Sequence, residues 1–325
     1  MTDPATIVAV IPSLLGFTPE HSAVIIGLGI TPSGHPCIVA TARVDLPEPE
    51  EDEDTAAWSD WLADTVDTLI ERSNTLLCVI WDGGLPEDVR ERAEAAHASL
   101  ARAGAHIGDV LVVHAGRWWS LMCESSRCCP EAGRLIEPGS IDRGCAMLGL
   151  PPCEPAESRR DLESELSFAS LRGDWPKEPP DIPDGAFEVA VAHTVNTLAS
   201  GSPCQAENLV LIGIALSDVR VRDTVIWDVL SNDRRLLAPA IEVLSEAVRS
   251  APDYYVAPLA ACVGLFQWQY GDGIRACIAV HRSLDANPEY SFAHLLLQCL
   301  ARGVSPQEWW ASLRLIGRDR CTGRC

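Results

Sequence analysis

The chain is short of basic charge, and lysine is almost missing. Of its 25 basic residues only Lys177 is a lysine, against 46 acidic residues, so the formal charge is −21. A surface of that sign repels polyphosphate backbones, and no row of arginines offsets it locally, which argues against a nucleic-acid partner. Long apolar runs are missing too: Leu209 to Leu216, with its one glycine, falls far below the roughly 20 residues that cross a bilayer, so no membrane span is expected. The opening MTDPATIVAV carries an acid and no base before its apolar stretch, the wrong polarity for a secretory leader, and the cytoplasm is the expected compartment. No nucleotide-binding loop, nucleophile elbow or metalloprotease helix occurs, so the sequence points to no reaction.

What is present is apolar mass and cysteine. At 325 residues with 47% hydrophobic content, the chain has material for two cores. Thirteen cysteines in a chain of this length do not read as a secreted disulfide scaffold, which belongs to short chains poor in core. Most are expected reduced. Cys37, Cys78, Cys262, Cys277 and Cys299 sit singly in apolar strand or helix patterns and read as small hydrophobes.

The pattern of elements divides the chain. ATIVAVIPSLLGF reads as a short helix interrupted at Pro12 and closed by Gly16. SAVIIGL (Ser22 to Leu28) and PCIVATARVDL (Pro36 to Leu46) are β-branched runs separated by TPSG, a hairpin with a longer loop. Six acids between Glu48 and Asp54 read as a solvated loop. From Thr55, an available N-cap, Trp58, Trp61, Leu62, Val66, Leu69 and Ile70 share one helical face. LLCVIW (Leu76 to Trp81) follows as a buried strand, then a helix opened by Pro86 with a stripe of Val89, Ala93, Ala96 and Leu100, then a strand from Ile107 to Val113. Strand, helix, strand, helix, strand implies parallel pairing through right-handed crossovers. The expected N-terminal fold is α/β: a mixed sheet with flanking helices, three-layered, ending in a hairpin.

WPKEPPDIP (Trp175 to Pro183) sustains neither helix nor central strand and reads as a linker. The expected domains are therefore 1–174 (α/β), 175–184 (Pro-rich linker), 185–316 (all-α) and 317–325 (a disordered tail holding Cys321 and Cys325). A shift of 36 superposes Ala240 on Ala276, Pro252 on Pro288, Tyr254 on Tyr290 and Ala257 on Ala293. This repeat resembles a tetratricopeptide unit at Gly264, Gly271, Ala276 and Pro288, with Ala260 and Val280 where that motif has aromatics. A packed helical domain with repeat ancestry is the plainer reading.

Chemistry concentrates in VLVVHAGRWWSLMCESSRCCP. If Ala115-Gly116 is a two-residue turn, His114 faces Arg117 and Val112 faces Trp119, with Trp118 and Trp119 on opposite faces. Carried further, the register sets Gly108 against Cys123, about 20 Å along the strand from Arg117. His106 would then complete a Cys3His set with Cys123, Cys128 and Cys129, the donor types of a zinc site. The vicinal pair speaks against shared coordination, because adjacent side chains diverge. Packing, a redox-labile thiol pair and a nucleophile are the other readings.

Ligands of parallel sheets gather where strands end at their carboxyl edge. That edge carries Asp82, Gly83 and Gly84 after LLCVIW, and His114 after VLVV, with Arg117 opposite. These five residues are ligand-binding candidates, against ordinary turn chemistry for the Asp-Gly-Gly. Arg43 and Asp45 read as a structural ion pair.

LLGFTPEHSAVIIGL, TARVDLP, GRWWSLMC and CCPEAG together resemble the actinobacterial family called domain of unknown function 4192. The resemblance extends through most of the chain and implies a cytoplasmic protein of an actinobacterium, or of its phage or plasmid; scarce lysine agrees with a GC-rich genome. It brings no catalytic residue with it. Three functions follow: a non-enzymatic adaptor or regulator with a protein partner, favoured by the repeat; an enzyme acting on a small or nucleotide-like ligand near Asp82 and His114; and a thiol or zinc sensor on the cysteine cluster.

Overall fold

A computed structural model describes residues 4–30, 34, 36–46, 58, 62–63, 66–67, 69–82, 86–130, 132–137, 139–148, 155–232 and 234–321. The chain forms two compact units, Met1–Arg159 and Arg160–Cys325.

The first unit holds α1 (Pro4–Leu15), β1 (Ser22–Ile30), β2 (Pro36–Asp45), β3 (Thr75–Trp81), α2 (Pro86–Arg102), β4 (Ile107–His114), β5 (Arg117–Ser120), β6 (Arg134–Leu135) and α3 (Ser140–Leu148). Its sheet runs β2-β1-β3-β4-β5-β6. Of the described strands, only β3 and β4 pair in parallel, across the α2 crossover. The crossover from β2 does not make a second parallel pair, because β1 lies between, antiparallel to both β2 and β3. The sheet is therefore mixed. On one face Ala23, Ile25, Cys78, Ile80, Val110 and Val112 meet Val89, Ala93, Ala96 and Leu100 of α2 and the helical residues Trp58, Leu62, Val66 and Leu69. The alternate residues Val24, Ile26, Val79, Leu111 and Trp118 are equally buried, so both faces of the central strands are covered.

α1 is not interrupted at Pro12. It runs on to Leu15 with Pro12 inside, because Val8, Ile11 and Leu15 are buried on one side and their packing offsets the hydrogen bond that proline forgoes. Thr55, Trp61 and the acidic run 48–54 lie outside the described residues. Ala115 (φ 47°) and Gly116 (φ 72°) make the β4–β5 turn, both in the left-handed region that a two-residue hairpin turn of this hand demands. His114 pairs with Arg117 and Val112 with Trp119, the expected register. Trp118 is buried on one face, and Trp119 packs against the α2-side core.

The second unit begins within α4 (Arg159–Ser164) and holds α5 (Phe187–Ser200), α6 (Ala206–Ser217), α7 (Val219–Ser231), α8 (Leu237–Ser250), α9 (Asp253–Tyr270), α10 (Gly273–Ala286), α11 (Ser291–Ala301), α12 (Pro306–Ile316) and α13 (Arg318–Cys321). The expected linker lies inside this unit, and the division falls at Arg159 instead. Trp175 explains the difference. Its ring packs against Tyr255 at 4.9 Å with the planes tilted by 53°, its Nε1 donates to the Arg172 carbonyl at 2.7 Å, and the Tyr255 hydroxyl donates to the Pro176 carbonyl at 3.1 Å. The prolines forbid regular structure without forbidding a packed one. The tail also holds more order than expected through residue 321, since Arg318 donates twice to the Asp228 carboxylate, at 2.7 and 2.9 Å.

α9 is the core of the unit, buried along most of its length and packed by α8 and α10. It crosses α10 closely at Gly264, where a β-carbon would stand 3.1 Å from the Ala276 carbonyl oxygen and 2.8 Å from Val280. Ser283 seals the pair, donating to the Ala257 carbonyl at 2.7 Å in the buried crossing. α8 and α10 have matching spans at the repeat's shift of 36, with Ala240 and Ala276 both fully buried. Their neighbours differ: α8 packs on α5, α6 and α9, whereas α10 packs on α9 and α11.

Candidate functional site

Two places in the first unit gather reactive side chains. The first is the carboxyl edge of β3 and β4. The Asp82 amide donates to the Val113 carbonyl at 3.2 Å, extending the parallel ladder by one residue and pulling Asp82 into the protein. Its side chain is 2% exposed, and its carboxylate accepts from Arg92 Nη1 on α2 and from His21 Nδ1 at 3.3 Å. The Asp82 carbonyl in turn accepts from His114 Nδ1 at 3.1 Å. Asp82 and His114 are thus brought together through the backbone of one and the ring of the other. Arg117 pairs with His114 across the hairpin, but its Nη1 donates to the Gly133 carbonyl at 3.1 Å. Gly83 and Gly84 lie outside the described residues.

His21 and Arg92 are the members of this cluster that sequence reasoning missed. Arg92 stands beside the buried stripe of α2 and offered a weak signal, a base flanking Val89 and Ala93. His21 offered none, since it meets Asp82 across 61 positions through β1–β3 pairing. Replacing Asp82 by Asn leaves a largely buried guanidinium facing a neutral amide. The expected cost is about 2 kcal/mol, read as an earlier urea transition of the α/β unit.

The second place is the turn after β5. Leu121 makes the last ladder bond, its amide donating to the Val110 carbonyl at 2.8 Å. Ser120 then receives the Met122 amide at 3.1 Å on the hydroxyl that it donates to Asp109 at 2.6 Å, and the chain turns away. Pairing stops there, so Cys123 does not reach the register position opposite Gly108. The Ser125 carbonyl accepts both the Cys128 and the Cys129 amides, at 3.0 and 2.8 Å, which folds the vicinal pair back. The sulfurs of Cys123, Cys128 and Cys129 all lie within 4.8 Å of one another. His106 is not with them, and its Nδ1 faces the Thr75 hydroxyl at 3.4 Å.

The hairpin with its cysteine turn, and the helices α3 to α11, fall in one matched region: residues 4–307 match the family described as Domain of unknown function (DUF4192). The chain belongs to the DUF4192 family. No curated protein and no solved structure matches it.

In this DUF4192 chain the sulfurs of Cys123 and Cys129 are electrostatically unlike. The Ser125 amide, followed by the neighbouring thiols of Cys129 and Cys128, draws the Cys123 thiol below its usual range. Burial pushes Cys129 up to about 11. Asp109 is raised by burial, with the Ser120 hydroxyl and the Val110 amide offsetting part of it. Cys78 and Cys262 are fully buried, and burial pushes both to about 12, as suits packing cysteines. Cys37, Cys277 and Cys299 are half-buried. No helix among the described residues is long and apolar enough to cross a membrane.

Proposed function

We propose that this DUF4192 protein is a non-enzymatic adaptor or regulator that acts through protein contacts made by its helical unit. The observation that carries the reading is at the sheet edge, where the polar side chains are engaged with one another: Asp82 by Arg92 and His21, His114 by the Asp82 carbonyl. Those bonds tie β3 to α2, to the start of β1 and to β4, and the Asp82 side chain, 2% exposed, offers almost no surface to a ligand. Support also comes from the helical unit, where Tyr254 and Tyr270 at the two ends of α9 stay exposed although α9 itself is buried. We propose tetratricopeptide ancestry for α8 to α11, on the matching spans and the equivalent buried alanines. The proposed setting is the cytoplasm of an actinobacterium, without a nucleic-acid partner, given the charge of −21.

The test is a photo-crosslinking residue in place of Tyr254 or Tyr270 in cells of the native host. A discrete protein adduct at either position is the expected result. No adduct at both, together with turnover of a small molecule by the purified protein that Asp82→Asn abolishes, transfers the function to the sheet edge.

A further inference from the structure

We propose that Cys123, Cys128 and Cys129 form a three-thiolate site for one thiophilic divalent ion of the zinc class, with a fourth coordination position open to solvent. The inference is independent of the adaptor reading, because it rests on the first unit alone.

Three alternatives compete, and the geometry separates them. A packing cysteine is enclosed by apolar neighbours, as Cys78 and Cys262 are, whereas Cys128 is exposed and Cys123 and Cys129 are half-buried. A disulfide engages two sulfurs and leaves the third without a role. One ion engages all three. Zinc–sulfur bonds of about 2.3 Å in a tetrahedron set sulfurs about 3.8 Å apart, and these three already converge within 4.8 Å. Small side-chain rotations close the remaining distance.

The backbone supports that arrangement twice over. The Ser125 carbonyl holds the turn that brings the vicinal pair round to Cys123. Ser120 is fixed at the end of a ladder strand, so one side of the site rests on rigid sheet.

A divalent ion is favoured over a monovalent one by charge. Three thiolates and one Zn²⁺ sum to −1, beside Asp109, whereas Cu⁺ leaves −2 in a chain already strongly acidic. On binding, each thiol forms a sulfur–metal bond and releases its proton to solvent, with no change in oxidation state. Among the described residues no fourth histidine, cysteine or carboxylate joins the group, so water or another exogenous ligand completes the tetrahedron.

Titration of the reduced full-length protein with Co²⁺ tests the site. One equivalent should produce intense thiolate-to-cobalt charge-transfer absorption, which Zn²⁺ abolishes by displacement. Cys128→Ser or Cys129→Ser should weaken cobalt binding by about a hundredfold, while Cys37→Ser leaves it unchanged; circular dichroism checks that each variant is folded, and Cys128, the exposed member, is the decisive one. X-ray absorption of the zinc form should show three sulfurs and one lighter atom. The proposal falls if reduced, folded protein gives no charge-transfer band, or if the triple serine variant gives the same band. It falls equally if Cu⁺ binds and Zn²⁺ does not, or if a fourth sulfur completes the shell.

Discussion

Glu246→Ala should destabilise the helical unit by about 3 kcal/mol, read as a lower urea midpoint by far-ultraviolet circular dichroism. Glu246 is 7% exposed on α8, and its carboxylate is met from three sides. Arg172 Nη1 donates to one oxygen, and the Ser202 hydroxyl and the Cys204 amide donate to the other, the amide at 2.9 Å. Removing the carboxylate leaves a buried amide without its acceptor, which costs about 1–3 kcal/mol by itself. Breaking a buried ion pair at one partner costs about 3–5 kcal/mol, but the Arg172 side chain is 38% exposed and recovers water, which discounts that figure. Glu246→Gln keeps an acceptor for Ser202 and Cys204, and its expected cost is about 1 kcal/mol. The pH dependence separates the two contributions. Burial pushes the Glu246 carboxyl up, yet the Ser202, Arg172 and Cys204 bonds together outweigh it and hold it below the usual range. A depressed folded-state value stabilises above the ordinary glutamate range and is lost as pH falls through the folded value. The gap between native chain and Glu246→Gln should therefore be widest near neutrality and close in acid.

Ala276→Trp should cost about 3 kcal/mol, at the upper end of overpacking penalties. Ala276 is fully buried where α10 crosses α9, and its carbonyl lies against Gly264. An indole there must separate the two helices and break the Ser283 bond to Ala257. Gly264→Ala tests the same crossing with opposing effects. Alanine gains about 1 kcal/mol of helix propensity over glycine, but its β-carbon meets backbone that cannot rotate away, so a net loss of about 1 kcal/mol is expected. Ala311, exposed on α12, gives the control: Ala311→Trp should stay within about 0.5 kcal/mol of the native chain.

Local features of this protein were legible in the sequence, and pairing at a distance was not. β1, β2, β3 and β4 follow apolar, β-branched runs bounded by turn residues, because such runs fit a pleated and buried surface. The His114–Arg117 register was readable because a two-residue turn permits one pairing only. The insertion of β1 between β2 and β3 was not, since a strand's composition does not name its neighbours. The same limit hid His21. Trp175 to Pro183 misled for another reason: proline content reports on backbone regularity, whereas Trp175 is held by an aromatic contact with Tyr255 that no local pattern announces. For the cysteines, spacing alone made the vicinal pair look divergent. The Ser125 carbonyl, which takes both of their amides, reverses that expectation.

β6 closes the sheet with only Arg134 and Leu135, paired to Trp118 and Arg117. A longer β6 would present a row of free amides and carbonyls to other molecules in solution. This one ends growth after two residues, both exposed, one of them charged. Strand-by-strand self-association is thereby denied a template at the β6 edge of the sheet.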